Sequence, residues 1–229
     1  MNGTPVDRVA SHYRDEAALA YFRYQRTGGP VKGELNRRKF ESYVNADDRV
    51  LDFGCGPGFT LAALPAADKI GVDPNEHNRR SAAGLGISTV ATSSELEDAS
   101  VDIVISNHAL EHTLSPHAEL LALRRVLRPD GRLVICVPID DWRAERIPRP
   151  NDPNHHLYTW TPLLLGNLLQ ETGFQVKSCE VVHYGRPGRL TYPLGRLLPR
   201  SAFDLTCRAT AFLLRRREIM ALAVRPVVS

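Results

Sequence analysis

Residues 50–59 read VLDFGCGPGF, and this stretch constrains the fold more than any other. Val50 to Phe53 are strand formers around one acid. Gly54, Gly56 and Gly58 follow at once, so side chains are given up where a strand ends. Bare backbone there turns sharply into a helix, offers N–H groups at a positive helix end, and lets a ligand come close. Such a corner belongs to a β–turn–α unit.

The chain downstream keeps that rhythm. RVLDFG (49–54), DKIGVD (68–73), GISTVAT (86–92), VDIVISN (101–107) and GRLVICVP (131–138) read as strands one to five. Helices are expected over 58–66, Asn75–Ala83, Pro116–Leu127 and Thr161–Thr172, with Gly173 as a C-terminal cap. Pro129-Asp130-Gly131 reads as a turn before strand five. FQVKSCEVVHY (174–184) and EIMALAVRP (218–226) supply the last two strands. The strands are short and apolar on both faces, as in a parallel sheet covered on both sides. The expectation is an α/β fold: a Rossmann-like, doubly wound, mostly parallel seven-stranded sheet with helices on both faces and an antiparallel last strand. Residues 7–44 have helical periodicity, with RTGGPVKG (26–33) as a break and Glu34–Val44 as a second helix.

The 229 residues suit one decorated α/β domain. No run approaches the roughly 20 apolar residues of a membrane span, and the N-terminus carries charges where an export signal would be apolar. Cys55, Cys136, Cys179 and Cys207 form no CxxC pair and read as free thiols, so a cytoplasmic location is expected. The charge is uneven. Between Tyr184 and Arg217 eight arginines face one acid, Asp204, inside a chain of net charge +3. Ser201-Ala-Phe-Asp204 resembles a helix start with Ser201 as cap. Leu205, Ala209, Phe212 and Leu213 then make an apolar stripe read first as packed on the core.

Asp73, ending strand two, lies 19 positions after Gly54. An acid at about 20 residues in such folds accepts hydrogen bonds from ribose hydroxyls. Together VLDFGCGPG, IGVDP, VDIVISNHALEH and LRRVLRPDGRLVICVP resemble a class I S-adenosylmethionine (SAM)-dependent methyltransferase of the small-molecule type, over about Asp48 to Val182. The resemblance implies that the glycine loop wraps the methionine part of SAM and that Asp73 binds its ribose. It assigns cofactor contacts to Asp52, Gly54, Cys55, Gly56, Gly58, Asp73, Pro74, Ser93, Asn107 and His108. Family members often place an acid after strand three for the adenine amine. Here the stretch is VATSSELED, and Thr92, Ser93 or Ser94 stands in its place. A nicotinamide dinucleotide (NAD) is the rival cofactor, but the third glycine of its GxGxxG fingerprint would fall on Phe59.

Ligands of an open α/β sheet bind beyond the C-terminal strand ends, which places Ser106-Asn107-His108 beside the glycine loop. His108 and His112 share a face if HALEHT is helical. His112 reads as a brace for its loop. His155 and His156, in the loop NDPNHHLYTWTP, are further candidates for a general base or for the pocket wall, and one of them faces the pocket if the pair is extended. The catalytic candidates are thus His108, His155 and His156. Asp140, Asp141, Asp152 and the histidine pair match no tight ligand spacing, so no metal site is expected.

The organisation expected is an N-terminal helical lid over 1–45 and a SAM-binding domain over 46–229, with a basic helical insertion at about 184–217. Tyr13, Tyr21 and Arg38 are lid residues within reach of a ligand, Arg38 through the SAM carboxylate. The basic segment either leaves its arginines in water, binds an anionic acceptor, or rests on an anionic membrane surface to reach a lipid-linked one. A nucleic-acid partner is not expected, because no aromatic stacking surface interleaves the arginines. The function expected is methyl transfer from SAM to an oxygen or nitrogen of a small molecule, in specialised-metabolite or glycan and lipid-linked chemistry. The alternatives are a SAM-binding scaffold without transfer activity and an NAD-dependent oxidoreductase.

Overall fold

The structure, a computed structural model, describes residues 15–26, 29–140, 147, 148, 152, 155–183, 198–213 and 217–227. Tyr13, Asp141 and the arginines at 186, 189, 196, 215 and 216 lie outside them, as do the side chains of Arg200, Asp204, Cys207 and Arg208.

Seven strands form one sheet: β1 (Arg49–Phe53), β2 (Asp68–Val72), β3 (Ser88–Val90), β4 (Val101–Asn107), β5 (Leu127–Pro138), β6 (Gln175–Val182) and β7 (Glu218–Val224). Their order is β3-β2-β1-β4-β5-β7-β6. The first five pair in parallel, and β7 runs antiparallel between β5 and β6. The chain leaves β1 toward β2 and β3, then returns to lay β4 on the other side of β1. The crevice where that order reverses opens at the end of β1, beside the glycine corner.

Alternation along each strand splits the core in two. Leu51 and Phe53 of β1, with Leu133, Ile135 and Val137 of β5, pack under helices α5 (Pro116–Val126) and α6 (Pro162–Glu171). Val50, Ile103, Ile105, Val134 and Cys136 face the other way, onto Leu61 of α3 (Phe59–Ala62) and Ala82 of α4 (Glu76–Ala83). Thr161 caps α6 by accepting from the Leu164 N–H at 3.2 Å. Gly173, at φ +79°, closes it with the Phe174 N–H bonded to the Leu169 carbonyl.

Five local expectations are corrected. The break over 26–33 is shorter, because α2 (Gly29–Arg37) starts at Gly29 with Pro30 in its first turn, where a missing N–H costs nothing. That second helix does not reach Val44. It ends at Arg37, the chain turns to bury Lys39 and Phe40, and one 3-10 turn follows at Glu41–Tyr43. Pro129-Asp130-Gly131 is no turn ahead of a strand but an irregularity inside β5, where Val101 pairs with Leu127 and Ile103 already pairs with Arg132. Asp130 takes φ +61° there, and its N–H still reaches the Arg225 carbonyl of the β7 extension. Helix α7 (Arg200–Leu213) contains Ser201 rather than being capped by it. Its stripe does not pack on the core: Leu205, Phe212 and Leu213 are 69%, 70% and 78% exposed, and among the described side chains of the helix Phe203 is the buried one.

Ahead of the sheet, α1 (Asp15–Arg26) docks on α4. The Ala18 carbonyl accepts from Asn75 Nδ2 at 2.8 Å, Gln25 Oε1 accepts from Asn78 Nδ2 at 2.8 Å, and Phe22 stacks on His77. No helix among the described residues is long and apolar enough to cross a membrane.

Candidate active site at the strand ends

The glycine corner is set by packing as much as by a ligand. Gly54, Gly56 and Gly58 all have positive φ. A Cβ on Gly54 would meet Ala109 Cβ at 2.3 Å, and one on Gly58 would meet Ala82 Cβ at 2.7 Å, so these two glycines admit neighbouring segments. Only Gly56 faces open space with a soft neighbour, Gln25 of α1 at 3.6 Å. Gly54 nonetheless lines both cavities while admitting Ala109.

Asp73 holds the corner in place. Its Oδ2 accepts from the Gly56 N–H at 2.9 Å, its Oδ1 from the Asn75 N–H at 2.9 Å, and Asn78 Nδ2 bridges both oxygens at 3.2 Å. Burial pushes its carboxyl up to about 6 despite those bonds. Burial pushes Asp52, in β1, up to about 7, and the neighbouring charge of Asp73 adds to it. Burial raises the Cys55 thiol as well, with both aspartates reinforcing it. Burial is the leading cause of both shifts, and at Asp73 the charge of Arg79 works against it. Buried acids at a glycine corner that opens on two cavities fit a ligand carrying a ribose and a sulfonium, as SAM does.

Two cavities meet here. The smaller, of about 190 Å³, runs between Asp73, Pro74, Thr92, Ser93 and Ser94 with apolar walls from Phe53, Val72 and Ala91. The larger, of about 490 Å³, is lined by Asp52, Cys55, Gly56, Asn107, His156 and Glu218 among others. Tyr21, Gln25, Gly54, His108 and His112 line both. All ten expected cofactor residues except Gly58 lie on one cavity or the other. Arg38 lines neither.

The histidines are placed by strained backbone. HALEHT is not a helix from His108: that residue has φ +56°, and a single 3-10 turn covers Leu110–His112. The kink sends His108 Nε2 to Glu218 Oε1 at 2.9 Å, while its backbone N–H bonds the Cys136 carbonyl. Lys39 Nζ sits 2.5 Å from the other Glu218 oxygen and 3.0 Å from Asn107 Oδ1. Burial would raise Glu218, but Lys39 and His108 outweigh it and hold the carboxyl well below its usual range. Burial also pushes the adjacent Cys136 thiol up to about 12, which keeps it neutral.

His155 and His156 diverge, but through a left-handed residue and not as an extended pair. His155, at φ +48°, contributes backbone: its N–H bonds Asp152 Oδ2 at 3.0 Å and its carbonyl lies 3.4 Å from His112 Nδ1. His156 faces the larger cavity with Nδ1 2.8 Å from Asp140 Oδ2. Burial alone would lower the His156 pKa, but the bond to Asp140 and the charges of Glu111, Asp140 and Asp152 raise it. Sequence reasoning missed Lys39, Glu111 and Glu218. Glu111 was in view between the two histidines of NHALEH. Nothing local marks Lys39 or Glu218.

Comparison with known proteins agrees with this geometry. Residues 20–178 match the family model described as a methyltransferase domain. A 37.1 kDa protein of a Streptomyces fradiae transposon is 35% identical over 49% of this chain, which spans only 36% of that relative. The uncharacterised methyltransferase YcgJ of Bacillus subtilis is 29% identical over 73% of this chain and 71% of its own length. A chain from the Haloferax volcanii complex of the Trm112 methyltransferase activator with a putative methyltransferase superposes with TM-score 0.68 at 19% identity, covering 93% of this chain and 99% of that one. With the family match spanning more than half of its length, this chain belongs to the methyltransferase-domain family, on the Rossmann-like sheet of the class I SAM-dependent enzymes.

Proposed function

We propose that the protein transfers a methyl group from SAM to an oxygen or nitrogen of a small molecule. The observation carrying this reading is the pair of buried carboxylates, Asp52 and Asp73, at a glycine corner that opens into a second, polar-walled cavity. When bound, SAM supplies an electrophilic methyl group on a sulfonium. Asp73 holds the ribose hydroxyls, Asp52 and the 54–58 loop hold the methionine end, and Pro74, Ser93 and the apolar wall take the adenine. Asn107 and His108 stand at the junction with the acceptor. Helices α1 and α2 act as the lid, with Tyr21 and Gln25 over both cavities and excluding water.

Of the three catalytic candidates, His108 is the one we assign as base. It lines both cavities, and Glu218 orients its ring through Nε2 at 2.9 Å. His156 forms the wall, and His155 shapes it through its backbone. The exposed apolar stripe of α7, within the arginine-rich segment, favours an anionic or lipid-linked acceptor approached from a membrane surface.

The test is calorimetry with SAM, S-adenosylhomocysteine and NAD, followed by release of S-adenosylhomocysteine on addition of small-molecule extracts. Binding of SAM with acceptor-dependent release is expected. Binding without release from any extract would leave a scaffold, and stabilisation by NAD alone would reject the reading.

SAM binding should also depend on pH in a defined direction. The folded pKa of Asp52 lies near 7, above its unfolded value of about 3.9. Between those values the folded state holds more protons, so the ligand-free protein loses stability as pH rises toward 7. A cationic ligand relieves that loss. The rise in Tm on adding SAM should therefore be larger at pH 7.5 than at pH 5.5. An equal or smaller rise at pH 7.5 would remove the charge argument.

A further inference from the structure

We infer that Gln25, in the lid helix α1, binds the carboxylate of the cofactor's amino-acid tail through its side-chain NH2, and that Asn78 positions it there. The glycine corner itself offers that carboxylate no backbone donor. The Gly54 and Cys55 N–H groups both reach the Val72 carbonyl, at 2.8 and 3.0 Å. The Gly56 N–H is on Asp73 Oδ2 at 2.9 Å, the Gly58 N–H is on the Cys55 carbonyl at 3.1 Å, and Pro57 has none. Every backbone donor from Gly54 to Gly58 is thus engaged inside the protein, whereas a loop that cradles an anion aims its donors at the ligand. The charged side chains of the corner, Asp52 and Asp73, are acids and repel a carboxylate. Arg38, which the sequence suggested for this task, lines neither cavity.

Gln25 stands over that corner. Its carboxamide oxygen and nitrogen both lie 3.6 Å from the place a Cβ on Gly56 would take, and it lines both cavities. Its partner decides which end faces the ligand. An ionised carboxylate only accepts hydrogen bonds, so Asn78 turns its NH2 to Asp73, 3.2 Å from each oxygen. The same NH2 gives its other proton to Gln25 Oε1 at 2.8 Å. The oxygen of Gln25 is thereby used on the protein, and its NH2 is the end left for the cavities. Asn78 is 1% exposed, so water does not compete for the bond that sets this orientation.

The rest of α1 is fastened by the residues that hold the ribose acid. Asn75, also 1% exposed, gives Asp73 its backbone N–H at 2.9 Å and gives the Ala18 carbonyl its Nδ2 at 2.8 Å. Phe22, about one turn before Gln25, stacks on His77 beside them. The helix cannot tilt away from Asp73 without breaking buried hydrogen bonds, which are costly to leave unmade. Gln25 is therefore carried on a rigid part of the lid, and the lid is keyed to the cofactor.

This contact rests on the SAM reading proposed above, and the choice of ligands separates the two. The test is calorimetry on the full-length protein with SAM and with decarboxylated SAM, which keeps the sulfonium and the ammonium and lacks the carboxylate. Q25A is expected to weaken SAM roughly 10- to 100-fold, the range for hydrogen bonds to a charged group, and to leave decarboxylated SAM at wild-type affinity. Q25E keeps an oxygen for Asn78, so α1 stays docked, but sets an anion against the carboxylate. It should weaken SAM at least as much as Q25A does and leave decarboxylated SAM no weaker. An unchanged circular dichroism spectrum is the control for folding. SAM affinity unchanged in Q25A, or an equal loss for both ligands, would overturn the contact while SAM binding stands. Lys32 of α2 also lines the larger cavity, so a preference for SAM lost in Lys32→Met and kept in Q25A would overturn it too. A wild type that binds neither ligand would reject the SAM reading itself, and this contact with it.

Discussion

Calorimetric titration of Asp73→Ala with SAM is expected to show affinity at least about 100-fold below wild type. Two hydrogen bonds from ribose hydroxyls to a carboxylate contribute roughly 1.5–3 kcal/mol each, and about 1.4 kcal/mol is tenfold in affinity. The same carboxylate fastens the corner by accepting from the Gly56 and Asn75 N–H groups and from Asn78, so its removal also loosens the glycine loop. Its burial works the other way on stability. A carboxyl pushed up to about 6 is paying for desolvation, so deleting it costs the fold less than the number of bonds suggests. Binding should therefore collapse while Tm moves little. Asp73→Asn keeps the shape and one acceptor oxygen, and should fall between the two. Wild-type affinity in Asp73→Ala would reject the ribose assignment.

Lys39→Met is expected to be the most destabilising single change at the site. It leaves Glu218 charged and buried, with His108 and the Cys136 thiol as its remaining partners. Removing one member of a buried ion pair costs about 3–5 kcal/mol, and for a chain of this size each kcal/mol is roughly 2–4 °C in Tm. A fall of about 6–20 °C follows. Replacing both partners, as Lys39→Met with Glu218→Gln, should recover much of it, because no lone charge stays buried. The pH dependence has a definite sign. The folded pKa of Glu218 is depressed, so between its folded and unfolded values the unfolded chain binds more protons. Its contribution is complete above the unfolded value of about 4.3 and is lost as pH falls through the folded one. The Tm gap between wild type and Glu218→Gln should be full at pH 7 and shrink below about pH 4. A Lys39→Met protein melting with wild type at pH 7 would show that the pair carries no such weight.

These two residues differ in how visible they were. Asp73 ends a strand at a set distance from a glycine run, and both facts are local in sequence. Lys39 and Glu218 are 179 positions apart and meet because β7 enters antiparallel between β5 and β6. That insertion brings the first residue of β7 to the end of β5, where Pro138 pairs with Glu218. The helical stripe of α7 misled for a related reason. Periodicity marks an apolar face but does not say whether anything covers it, and here Leu205 and Phe212 are exposed.

The sequence by itself determined the α/β rhythm, the glycine corner and its acid, because strand-forming runs, left-handed glycines and the loop-to-acid spacing are properties of neighbouring residues. Only the tertiary structure decided which side chains share the acceptor wall. His108 was turned toward Glu218 by a backbone kink, His156 toward Asp140, and Glu111 into the middle of three imidazoles. Those groupings come from strand order and loop strain, which act between segments far apart in the chain and leave no periodic mark on any one of them.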